Sequence, residues 1–86
     1  MWIELLNFLV TLMGILMSLG HFLQAYKIYK RKSAKDISLI TYATFTIGSY
    51  VWLVYGIVMG AWPIIASYTI SVIGTTIAMI LIIKYR

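Results

Sequence analysis

The sequence predicts an all-α membrane protein, a single bundle of three spanning helices, and three observations support this. Three apolar stretches, each long enough to cross a bilayer, carry no formal charge. Only 10% of the residues are charged while 63% are hydrophobic, and the mean hydropathy is +0.98. A water-soluble domain carries roughly a quarter charged residues, so lipid is the solvent this composition suits. The bases also cluster between and after the apolar runs, as membrane-flanking charges do, rather than spreading over a face. A chain of 86 residues would bury too little surface to make a comfortable soluble domain.

The first span is expected at about residues 5–26, between Glu4 and Lys27. The second is expected at about 37–58 and the third at about 62–83, so residues 1–86 form one membrane domain. The segment from Lys27 to Asp36 reads as a short basic loop. The second connection is Met59-Gly60-Ala61, where Gly60 supplies the turn. Pro63 suits the first turn of the third helix, where its missing N–H costs nothing. The N-terminus has neither the basic start nor the small-residue cleavage pattern of a secretory leader, so it is kept as structure. Cytoplasmic loops are enriched in Lys and Arg, which places the Lys27–Lys35 segment inside. Three crossings then bring Lys84 and Arg86 to the same side, giving N-terminus out and C-terminus in. Trp2, Trp62 and Tyr85 near the span ends fit an interfacial aromatic belt.

Polar residues inside spans mark helix contacts or a cavity. On the first helix, Asn7, Thr11, Gly14, Ser18, His21 and Ala25 form one stripe at alternating steps of four and three. On the second, Thr41, Thr44, Phe45, Gly48, Trp52, Tyr55 and Gly56 share a broad arc. On the third, Ser67, Ser71, Gly74 and Ala78 form a small-residue ridge beside Tyr68 and Thr75. Close packing is the favoured reading of that ridge and of Gly14 and Gly48. Trp52, read as lying near the middle of its span, is different. Its indole N–H would be unsatisfied against acyl chains, so it should face a partner or a cavity.

His21 is the one candidate pH-sensitive group in the spans; it could equally hydrogen-bond a backbone carbonyl near the inner end. There is no acid pair, metal-ligand cluster, phosphate loop or activated nucleophile, so neither an enzyme, a metal site nor a cofactor is expected. The absence of cysteine excludes disulfides and thiolate metal sites. The aromatic content is membrane-like and does not read as a nucleic-acid platform. Three helices cannot readily enclose a solute path, whereas six can. Two copies inserted with the same orientation would form a parallel homodimer around a central pathway, its two-fold axis along the membrane normal.

The stretch Phe22-Leu23-Gln24-Ala25-Tyr26, continuing through the basic residues to Lys32-Ser33-Ala34-Lys35-Asp36-Ile37-Ser38, resembles the PQ-loop signature of the bacterial SemiSWEET sugar transporters. Gly48-Ser49-Tyr50-Val51-Trp52-Leu53-Val54-Tyr55-Gly56 resembles a second segment of that family, and Pro63-Ile64-Ile65 the opening of its third helix. The resemblance implies an integral protein of a bacterial or archaeal inner membrane that moves a mono- or disaccharide by alternating access. It implies that Trp52 stacks on the sugar, that Tyr55 serves an outer gate, and that Gln24 and Tyr42 match further family positions. Phe45 joins the gate candidates, and Tyr68, Ser67 and Ser71 join Trp52 at the binding site. Two departures stand out: Leu23 replaces the signature proline, leaving Gly20 as the candidate hinge, and Tyr68 replaces a binding-site asparagine. The Met59-Gly60-Ala61 turn also lacks the family's charged outer pair. Transport running downhill would need no coupling ion. A carrier of another small solute, or a non-transporting membrane subunit or scaffold, are the alternatives.

Overall fold

A computed structural model describes every residue from Met1 to Arg86. Helix α1 spans Trp2–Arg31, α2 spans Leu39–Met59 and α3 spans Trp62–Tyr85. All three are long and apolar enough to cross a membrane, and the chain is an integral membrane protein. Helix α1 is longer than the expected span, about 45 Å at 1.5 Å per residue. Its extension carries Lys27, Lys30 and Arg31, so half of the expected basic loop is helical. Lys and Arg are good helix formers, and the charge that ends a membrane span does not end a helix.

The connections are built by local chemistry. Lys32 takes a left-handed conformation (φ 54°), and its N–H caps the Ile28 carbonyl. The Ala34 N–H then donates to Tyr85 O at 3.1 Å, tying the loop to the end of α3. Arg31 spans both carboxylate oxygens of Asp36 at 3.2 and 3.4 Å on the exposed surface. Ser38 caps α2 by accepting the Thr41 N–H. At the other end Gly60 (φ 65°) supplies the left-handed residue that closes α2, and Pro63 sits in the first turn of α3.

Helix α3 is the middle element, because α1 and α2 each pack on it and no Cα atoms of α1 and α2 approach within 8 Å. Helices α1 and α2, consecutive in the chain, are therefore not packed neighbours in the bundle. Contacts between Gly14 and Ser67, and between His21 and Gly74, show that α1 runs parallel to α3. Contacts of Gly56 with Ile64 and of Ser49 with Ser71 show that α2 runs antiparallel to it. The buried residues of α3 are Pro63, Ser67, Ser71, Gly74, Thr75, Ala78 and Ile82. Small side chains there let both neighbours come close, the usual way to gain packing where lipid supplies no hydrophobic drive between helices. A Cβ on Gly74 would lie 2.9 Å from the His21 Cβ, and one on Gly56 would lie 2.7 Å from Ile64 Cγ2.

The apolar core sits at the loop end, where Ala25, Ile28, Ala34, Tyr42, Ala78 and Ile82 are buried together. Several threonines sit in the helices at little cost, whether buried like Thr75 or exposed like Thr44 and Thr69. Thr11, Thr44, Thr46, Thr69 and Thr75 each donate to the carbonyl four residues earlier, at 2.6–2.9 Å. Thr11 and Thr44, placed in polar stripes by their spacing, satisfy themselves in this way.

Candidate functional site

Because α1 and α2 flank α3 without close backbone approach to each other, they leave an open cleft of about 710 Å³ with α3 as its floor. Met13, Gly14, Ser18 and His21 line it from α1. Phe45, Gly48, Ser49 and Trp52 line it from α2, and Ser67, Tyr68 and Ser71 from α3. The Trp52 and Phe45 rings are half-exposed in it, while Ser18, Ser49, Ser67 and Ser71 are buried behind it.

Its widest aromatic feature is a stack. The Trp52 and Tyr68 rings are 5.9 Å apart between centroids at 15°, an offset parallel pair from α2 and α3. Tyr55 packs edge-on against Trp52 at 5.5 Å and 79° but does not itself line the cleft. The depth expected for Trp52 needs correction. It lies 13 residues on from Leu39 and 7 short of Met59, about 20 Å and 10 Å along the axis. That places it in the half of α2 nearer the Gly60 turn. The isolated protomer leaves it 48% exposed, on the open side of the cleft.

The polar inventory is small. Ser49 and Ser71 hydroxyls pair at 2.7 Å, joining α2 to α3. Ser18 donates to the Ser67 carbonyl at 3.2 Å, joining α1 to α3. Tyr50 and Thr76 add a third bond at 2.9 Å, on an exposed flank of α2 and α3. The Ser67 hydroxyl is buried and has no partner. It faces Gly14, where a side chain would collide with it, so the glycine keeps room for a hydroxyl that borders the cleft.

At the loop end the cleft is closed by rings. His21 Nδ1 is 3.2 Å from the Tyr42 hydroxyl, and both rings contact Phe45, with centroids 5.6–6.1 Å apart. Tyr42 is buried; Phe45 is half-exposed into the cleft.

Of the residues singled out from the sequence, Trp52, Tyr68, Ser67, Ser71, Phe45 and His21 come together around one cleft. Tyr42 and Tyr55 back it through ring contacts. Gly20, Leu23 and Gln24 lie outside it, and Leu23 is exposed on the outer face of α1. Helix α1 is continuous through Gly20 and Leu23. Ser49 was not among the expected residues, although Tyr42, Phe45, Ser49, Trp52 and Gly56 recur at steps of three, four, three and four, one helical face.

A family profile described as PQ loop repeat matches residues 5–65. A relative named sugar transporter SemiSWEET, from Bradyrhizobium diazoefficiens, is 32% identical over 62 residues, 72% of this chain and 72% of that protein. A solved structure described as a bacterial homologue of SWEET transporters superposes with a TM-score of 0.87 at 33% identity. That match covers 95% of this chain and 99% of the other.

Proposed function

The chain belongs to the PQ-loop repeat family, and from that premise we propose that it moves a small sugar across the membrane as a parallel homodimer, by alternating access and without a coupling ion. The relatives it matches are transporters and not enzymes. The observation that carries the proposal is the cleft itself. One protomer presents half of a pathway: an aromatic stack in a cleft with one open side. A second copy, inserted with the same orientation, covers that side and completes the wall.

In this mechanism Trp52 and Tyr68 offer ring faces to the flat apolar face of a sugar, while Ser67, buried against Gly14 here, meets its hydroxyls once α1 moves aside. His21, Tyr42 and Phe45 form the barrier at the loop end, and Tyr55 stands toward the Gly60 end. Ser49–Ser71 and Tyr50–Thr76 join α2 and α3 into one body, against which α1 rocks on the small-residue contacts at Gly14 and Gly74, with Gly20 as its hinge. The Lys27–Lys35 segment faces the inside of a bacterial or archaeal cell membrane, with the N-terminus out and the C-terminus in.

Purified protein in liposomes tests the proposal. Uptake of radiolabelled mono- or disaccharides, saturable and equilibrating without a gradient of any ion, is expected. Absence of flux with every sugar would refute it. Tyr68 favours one second reading, since its ring covers part of Trp52 and narrows the room for cargo. A carrier of a less polar solute would show thermal stabilisation by that solute and none by sugars.

A further inference from the structure

Helices α1 and α2 share a single hydrogen bond, and it joins the one histidine of the chain to a buried tyrosine. No backbone contact between the two helices supports it, since each packs on α3 instead. The His21 ring stands edge-on to Tyr42 (5.7 Å, 80°) and tilted against Phe45 (6.1 Å, 54°), across the loop end of the cleft. Histidine is the one side chain whose ordinary charge change falls between about pH 5 and 8.

Its surroundings hold no compensating charge. From α2 it meets the Tyr42 hydroxyl and the Phe45 ring. From α3 it meets the backbone at Gly74, which presents no titratable group. On α1 the nearest charged residue is Lys27, about 9 Å further along the axis and on another face. Asp36, the acid nearest that end, is engaged with Arg31.

We propose that His21 is a protonation-controlled latch on the loop-side end of the pathway: neutral, it ties α1 to α2 through Tyr42, and protonated, it opens that end. The proposal rests on the cleft being a transport pathway. Neutral imidazole shares one hydrogen with the phenol and leaves Nε2 toward the cleft. Imidazolium can still donate from Nδ1 to the phenol oxygen, but its charge and its Nε2–H need more water than the Tyr42 and Phe45 rings admit, and a wider loop end supplies it. This demand for water draws α1 away from α2 at the loop end as pH falls.

The chain contains no cysteine, so a single reporter thiol is unambiguous. Gly48 lines the cleft one turn beyond Phe45, and a Cβ there meets nothing within 4 Å. In vesicles oriented by protease access to the Lys-rich loop, Gly48→Cys is labelled by an impermeant maleimide from the loop side. Dividing its rate by that in a His21→Phe background cancels the pH dependence of the thiol. The ratio is expected to rise at least fivefold from pH 8 to pH 5.5. Tyr42→Phe, lacking the partner hydroxyl, should label at pH 8 as fast as the parent does in acid. His21→Gln, polar but not titrating, should show, like His21→Phe, no pH dependence beyond that of the thiol.

A flat ratio, or a single-histidine NMR signal that does not titrate between pH 5 and 8, would overturn the latch. Labelling needs no cargo, so the two readings fail separately. Sugar flux with a flat ratio removes the latch alone; a pH-dependent ratio without any flux removes the transport reading alone.

Discussion

The Ser67 hydroxyl gives the sharpest test of the site, because removing it should move two measurements in opposite directions. In the empty cleft this oxygen is buried and makes no hydrogen bond. An unsatisfied buried polar group costs about 1–3 kcal/mol. Ser67→Ala removes that cost yet keeps the Cβ that packs toward Gly14, so no cavity larger than an oxygen atom is opened. Unfolding in detergent should therefore show a protein more stable by about 1 kcal/mol per protomer. If cargo supplies the missing partner, each lost hydrogen bond is worth about 0.5–1.5 kcal/mol, about a two- to twelvefold rise in the half-saturation concentration for uptake. The gain in stability and the loss in affinity belong together. A variant less stable than the parent would mean that the hydroxyl has a partner in the resting protein. An unchanged half-saturation constant would mean that cargo never reaches it.

Trp52→Ala should abolish uptake in liposomes while the dimer elutes unchanged on size exclusion, since the indole lies on the open side of the cleft and not in the packed core. Full activity would refute its role. Gly74→Leu should destabilise the protein by about 1–3 kcal/mol or more in the same unfolding assay, since the first added carbon already lies 2.9 Å from His21 Cβ and 3.0 Å from a Phe22 ring carbon. Parent-like stability would show that α1 and α3 stand further apart. Gly20→Ala meets nothing within 4 Å and should stabilise α1 by about 0.5–1 kcal/mol by removing a helix-interior glycine. If α1 bends there during transport, turnover should fall severalfold, and an unchanged turnover would exclude Gly20 as the hinge.

Hydropathy made the three helices legible, because a bilayer demands a long apolar run with its backbone satisfied internally. It could not show that α3 lies between α1 and α2, since lipid-facing and helix-facing apolar residues look alike in a sequence. Met13 and Met17 are invisible as lining residues for the same reason. Ser49 was legible in principle from its place on the Tyr42–Gly56 face, but a lone serine beside Gly48 suggests packing before it suggests a hydrogen bond to Ser71. Leu23, Gln24 and Gly20 came from the resemblance, and a motif match fixes alignment without saying which side of a helix a residue occupies. Helix α1 runs past both ends of its expected span because a membrane boundary and a helix boundary are set by different physics, solvation in one case and backbone hydrogen bonding in the other.

The uneven packing of the bundle bears on how so short a chain could switch between two states. Its apolar core is confined to the loop end, where Ile28 and Ile82 are fully buried and the loop is tied to α3 through Ala34. Toward the Gly60 end, α1 is held to α3 through small residues and one bond, Ser18 to the Ser67 carbonyl. Small-residue contacts bring helices close but bury little side-chain area, so sliding or tilting across them sacrifices less than separating interlocked large side chains. Helix α2, by contrast, shares two hydroxyl pairs with α3. Under the proposed transport cycle α1 would move against a frame of α2 and α3, and the His21–Tyr42 bond, the one hydrogen bond between α1 and α2, would have to yield before the loop end opens.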